Sequence, residues 1–149
     1  MTTPRPTTNA SLVTNVRLAE LHVALLTSAP PSGPVPPLTA CLAHGVTSFG
    51  GNDGIRDTWT PYGSPDMLER AMLIAMRYGL RRDDDLALAC DCVSGTAARA
   101  CGFEGYGLQP GARADLVLVD ADTLAHALVA RPARKLVIAN GRDGALVAR

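Results

Sequence analysis

Two short apolar runs, Leu21-His22-Val23-Ala24-Leu25-Leu26 and Val46-Thr47-Ser48-Phe49, lie either side of one helix, and their relationship decides the fold. The connection begins with Ala29-Pro30-Pro31-Ser32-Gly33-Pro34-Val35-Pro36-Pro37. Proline fixes φ and removes a backbone donor, so this stretch is irregular. Its last prolines are well placed to open a helix, which runs from about Pro37 to Ala43 and stops at Gly45. A helix between two buried strands is the βαβ arrangement and implies parallel pairing through a right-handed crossover. The second run then passes into Gly50-Gly51-Asn52-Asp53-Gly54, a turn-rich exit from a buried strand. In parallel α/β structures functional groups project from the carboxyl ends of strands, and Asp53 lies just beyond one. On spacing alone a turn aspartate remains the plainer reading of that residue.

Working outward, residues 1–9 read as a disordered lead-in, and Leu12, Val13, Val16 and Leu18 suit an amphipathic helix from Ala10 to Glu20. Downstream, Ser64 is placed to cap a helix that Pro65 and Asp66 begin and Gly79 ends, with Leu68, Met72, Ala75 and Met76 as its core face. Asp83, Asp84 and Asp85 start another helix as solvated dipole partners. It breaks at Ser94-Gly95, and Thr96 caps a short helix ending at Gly102. The last third changes character. Ala114 to Asp120 is a strand, Thr123 to Val129 forms one or two helical turns, and Lys135 to Ala139 leads through Asn140-Gly141 into a terminal hairpin whose far strand is Ala145-Leu146-Val147.

The chain has 149 residues with zero formal net charge, 47% hydrophobic and 19% charged residues. That balance suits one soluble globular domain and supplies no electrostatic bias toward nucleic acid. No apolar stretch approaches the roughly 20 residues of a membrane span, and the opening residues lack a secretory core, so a cytoplasmic location is the default. Cys41, Cys90, Cys92 and Cys101 match neither a disulfide scaffold nor a paired zinc motif and are expected to be buried free thiols. The cysteine-ligated zinc deaminases are excluded, because neither H-x-E nor P-C-x-x-C occurs.

The stretch Phe49-Gly50-Gly51-Asn52-Asp53-Gly54-Ile55-Arg56-Asp57-Thr58-Trp59-Thr60-Pro61-Tyr62-Gly63, followed by Asp66-Met67-Leu68-Glu69-Arg70-Ala71, resembles the segment after the eighth barrel strand in cytosine-deaminase-like amidohydrolases. Ala97-Ala98-Arg99-Ala100-Cys101-Gly102, with Tyr106 through Asp120, resembles that superfamily's return to its small β-domain. The resemblance implies an α/β fold: part of a (β/α)8 barrel over residues 10–110, with roughly the last two barrel strands and their helices, then strands of a small β-sandwich over 111–149. It also implies that Asp53 binds a catalytic divalent metal, iron or zinc in a complete relative, and handles a proton from the attacking water. Trp59 would wall the pocket of a small nitrogen heterocycle; read alone, its indole packs in a core or loop. Arg56 and Asp57 are expected to pair and hold the loop, and Gly54 departs from relatives with a second acidic residue there.

The family takes its remaining ligands from a His-x-His after the first strand and single histidines after the fifth and sixth, all preceding this segment. His22, His44 and His126 are isolated and read as structural. Catalytic metal sites use about three protein ligands and an open position, so the chain alone is expected to hold no metal and to be inactive. It reads as the C-terminal part of a hydrolase of cyclic amidine or amide C–N bonds that needs a complementing barrel fragment. The alternative is a non-catalytic remnant that self-associates as a binding or oligomerising module.

Overall fold

The two apolar runs do form a parallel pair. In the computed structural model, which describes residues 17–143, β1 (Leu25–Thr27) pairs with β2 (Ser48–Gly50) in the register Leu25 to Ser48, Leu26 to Phe49 and Thr27 to Gly50. Helix α1 (Leu38–Ala43) makes the crossover, with Leu38 and Cys41 buried beneath it. The lead-in over 1–9, the start of the first helix at Ala10 and the far hairpin strand at Ala145 lie outside the described residues.

Both strands start later than expected because the chain must first turn. Residues 17–20 are helical, and the amides of Leu21, His22 and Val23 donate back to the carbonyls of Arg17, Ala19 and Leu18. His22, at φ 53°, takes the left-handed closing position; it therefore belongs to a helix end and not to a strand start. Val46 similarly donates to Cys41 O at 2.9 Å and closes α1, so the second strand begins at Ser48.

Three helices follow: α2 (Met67–Tyr78), α3 (Asp83–Cys92) and α4 (Gly95–Ala100). The cap of α2 is Asp66 and not Ser64. The Asp66 carboxylate accepts from the amides of both Leu68 and Glu69, a charge at the positive helix end that a hydroxyl two residues earlier cannot match. The Ser64 hydroxyl instead accepts from the Asp66 amide at 3.2 Å. The buried face is Arg70, Ala71, Ile74 and Ala75, because the helix packs against α3, β2 and a later helix on that side. Met72 still packs against that core, whereas Met76 is 70% exposed. In α3 the Asp85 carboxylate reaches back to the amides of Arg81 and Arg82, which accounts for one member of the acidic triplet. Helix α4 starts a residue before Thr96, whose hydroxyl turns to Asp91 instead of capping.

The core joins Ala29, Leu38, Ala71, Ile74, Ala75, Ala89, Cys90, Cys92 and Leu128. Leu128 comes from α5 (Leu124–Ala130), which Thr123 caps and which packs against α2 and α3. Three of the four thiols are buried, but Cys101 is exposed at the end of α4.

The second sheet is antiparallel in the order β3 (Leu116–Val119), β4 (Arg134–Ala139), β5 (Arg142–Asp143). Asn140 and Gly141 have φ of 54° and 73°, the two positive values that a tight hairpin turn requires. The return strand therefore starts directly at Arg142. Leu116, Val117 and Leu118 remain exposed along β3. A sheet normally buries at least one face, and this one presents apolar side chains to solvent.

Candidate active-site edge at the carboxyl ends of the parallel strands

Strand β2 can lie close against the helices because its last residue is glycine. A Cβ at Gly50 would collide with the side chains of Ile74 and Val93. The Gly51 amide then donates to Thr27 O at 3.1 Å and carries the pairing one step past the strand ends. Asn52 and Asp53 follow immediately, at the carboxyl edge where sequence reasoning placed Asp53; its side chain is exposed there.

Residues 54–63 fold back on themselves. Arg56 N donates to Tyr62 O at 2.9 Å and Asp57 N to Thr60 O at 3.0 Å. One oxygen of the Asp57 carboxylate accepts from the amides of Trp59 and Thr60, both at 2.9 Å. Asp57 thus holds the loop as expected, but through backbone amides: no Arg56–Asp57 ion pair occurs among the described residues. The carboxylate also lies over Gly54, where any side chain would strike it. Glycine at this position is therefore tied to the Asp57 turn. Trp59 stands at the loop tip with 92% of its surface exposed; it packs into no core.

Sequence reasoning missed Arg70 and Asn52. Arg70 is buried on the inner face of α2. Its Nε and Nη2 donate to Asn52 Oδ1 at 2.9 and 2.7 Å, and its Nη1 donates to the carbonyl of Ser28, one residue past β1. The Asn52 amide nitrogen faces Met67 Sδ at 3.7 Å. Burial pulls the Arg70 pKa down, with the neighbouring Glu69 charge opposing it. The sequence reading placed the apolar face of this helix at Leu68, Met72, Ala75 and Met76, which leaves Arg70 on the other side, so nothing in that pattern singled it out.

His22 and His44 both precede their strands, His44 as the closing residue of α1. They sit at the amino edge of the pair, opposite Asp53. A shallow open hollow at that edge is lined by His22, Val46, Thr47, Thr96 and Arg99, away from the Asp53 loop. Among the described residues no three His, Cys, Asp or Glu side chains gather to hold a metal ion. Asp53 offers one oxygen donor at an open edge, which fits a single position of a metal site and does not fit a site by itself.

A parallel α/β pair with an acidic loop at its carboxyl end, followed by an antiparallel sheet, has a counterpart among known proteins. The chain belongs to the amidohydrolase family, whose family model matches residues 11–142. It is 35% identical over 121 residues to the N-isopropylammelide isopropyl amidohydrolase of Pseudomonas sp. (strain ADP), covering 80% of this chain and 29% of that protein. It superimposes on the crystal structure of N-isopropylammelide isopropylaminohydrolase from Burkholderia multivorans ATCC 17616 with a TM-score of 0.86 and 65% identity, over 89% of this chain and 34% of that one. The 5-methylcytosine deaminase of Klebsiella pneumoniae, liganded with phosphonocytosine, shares the fold at a TM-score of 0.76 with 22% identity, over 95% of this chain and 38% of that one. The chain thus spans about a third of the length of these relatives. Among the described residues no helix is long and apolar enough to cross a membrane.

Proposed function

We propose that this chain forms the C-terminal part of a metal-dependent hydrolase that cleaves a C–N bond on a small nitrogen heterocycle, an N-alkylamino triazine of the ammelide type before a cytosine. In this reading residues 10–110 belong to a (β/α)8 barrel and 111–149 to a small β-sandwich. The carrying observation is the Asp53 loop, held at the carboxyl end of a parallel strand in a chain 65% identical to an isopropylammelide isopropylaminohydrolase of known structure. The identity favours the alkylaminotriazine over cytosine, since the deaminase likeness at 22% speaks for the fold alone.

Asp53 would supply one carboxylate to a divalent ion whose other ligands lie outside the described residues, and Trp59 would stand at the rim of the substrate pocket. Hydrolysis adds water across the exocyclic C–N bond, so the ring keeps an oxygen and the alkylamine leaves with the proton. Two features would suit attachment of the rest of a barrel. β1 and β2 form a two-stranded sheet, and Leu21, Val23 and Leu26 are exposed beside it. Unpaired strand edges and apolar patches of this kind recruit partners.

The test is complementation. The chain is mixed with a polypeptide carrying the preceding six strands of the Burkholderia relative, supplied with Fe(II) or Zn(II), and isopropylamine release from N-isopropylammelide is followed. Activity in the mixture and in neither part alone is the expected result. A stable mixed complex without turnover on either N-isopropylammelide or cytosine would overturn the reading in favour of a non-catalytic module.

A further inference from the structure

We infer that Arg70 is a positioning residue: from the first turn of α2 its guanidinium holds the loops leaving β1 and β2 in one arrangement and so sets where the Asp53 carboxylate stands. The bearing on Asp53 rests on the function proposed above; the bearing on the loops does not.

The chemistry of Arg70 is unusual for its place. Its neighbours on the buried face of α2, Ala71, Ile74 and Ala75, are apolar, and only 8% of its own surface is exposed. Burying a guanidinium costs free energy unless its donors are satisfied, and an apolar side chain of similar volume commonly serves stability as well or better. Stability alone therefore gives little reason for an arginine here. What it does that an apolar residue cannot is bridge two loops. The planar fork places Nε and Nη2 on one oxygen of Asn52 and Nη1 on the Ser28 carbonyl. Ser28 follows β1 directly, and Asn52 directly precedes Asp53.

Asn52 is held at both ends of its amide, the oxygen by Arg70 and the nitrogen beside Met67 Sδ, two α2 residues on one face. Helix α2 is in turn tied to the last third of the chain by the Asp66–Arg134 and Glu69–Arg131 ion pairs. The loop bearing Asp53 is thus referred to a helix anchored elsewhere and not only to its own strand. Lysine would keep the charge but lose the rigid fork, so the arrangement is specific to arginine.

Three variants test this: Arg70→Met, Arg70→Lys and Asn52→Ala. In the 149-residue chain, hydrogen exchange at the Gly51 amide, which donates to Thr27 O between the two loops, should speed by at least about tenfold in all three, with Arg70→Lys the mildest and the α3 amides of Ala89 to Cys92 unchanged. Uniform acceleration across Gly51 and α3, or none at Gly51, overturns the inference by making Arg70 a general stabiliser or a bystander. Asn52→Ala cuts the same link without leaving a space on the helix, so it stands in if Arg70→Met does not fold. In the active complemented assembly, kcat should fall on the order of 100-fold with KM little changed, Arg70→Lys should recover part of it, and combining Arg70→Met with Asn52→Ala should add little. Local exchange that behaves as expected in an assembly without wild-type turnover refutes the proposed function and leaves the loop role standing. Turnover insensitive to all three variants refutes the positioning of Asp53.

Discussion

Arg134, the first residue of β4, places its guanidinium on the carboxylate of Asp66, the residue that caps α2. One carboxylate thereby does two things: it satisfies the free amides of Leu68 and Glu69 and joins the antiparallel sheet to the helical core. Asp66→Ala should cost about 1–2 kcal/mol in urea unfolding, in the range for loss of a helix cap. Asp66→Asn keeps an acceptor for the cap and should cost less than half of that. Equal losses for the two variants would mean that the ion pair, and not the cap, is what matters.

Gly50 permits β2 to touch α2, since a methyl there would overlap Ile74 and Val93. Gly50→Ala should destabilise by about 1–3 kcal/mol, the usual range for overpacking, and Gly50→Ala with Ile74→Val should recover part of the loss. A double variant no better than the sum of the singles would show that the Val93 methyl, and not the Ile74 methyl, sets the limit.

The Asp57 turn and Gly54 should act as one unit. Gly54→Ala drives the carboxylate off its place, and Asp57→Ala removes the acceptor for the Trp59 and Thr60 amides. Each should lower the anisotropy of Trp59, the single tryptophan of the chain, and the pair should do no more than either alone. Additive changes would separate the two residues.

The thiols supply a pH test with a defined sign. Cys92 is buried, and burial, with a smaller contribution from the Asp91 charge, pushes its pKa from 9.0 to about 11. Folding therefore favours the protonated thiol. Its contribution is present in full below pH 9 and disappears as pH rises through about 11, so unfolding free energy should fall across that window. Cys92→Ala should flatten the slope. At neutral pH a maleimide should label exposed Cys101 in the folded chain and reach Cys41, Cys90 and Cys92 only after unfolding; rapid labelling of all four would refute the buried placement.

Asp53 is exposed, so Asp53→Asn should alter the stability of the chain by less than about 0.5 kcal/mol, as surface substitutions usually do. In the complemented assembly the same change should reduce amine release by at least about 100-fold if this carboxylate holds the metal. Full activity in the variant would remove Asp53 from the proposed site.

Much of the architecture could be read from local pattern. The proline-rich connection between two apolar runs dictated a crossover, and β1 and β2 pair in parallel. Asn140-Gly141 dictated a tight hairpin, and both residues take positive φ. These features depend on backbone chemistry within a few residues, which a linear chain displays. Element ends were less legible: several candidate caps compete within two positions, as with Ser64 and Asp66, and the winner is the one whose acceptor reaches two amides at once. The placement of Asp53 beyond a buried strand was likewise local, whereas the exposure of Trp59 depends on how its loop closes.

By itself, then, the amino-acid order determined the sequence of strands and helices, the crossover and the turn chemistry, because sterics and short-range hydrogen bonds act between near neighbours. Only the tertiary structure decided which face of α2 turns inward and why a charge belongs there. Arg70 meets Asn52 across 18 residues and Ser28 across 42. A buried guanidinium is tolerable only where distant loops bring it acceptors, and no spacing along the chain records that meeting.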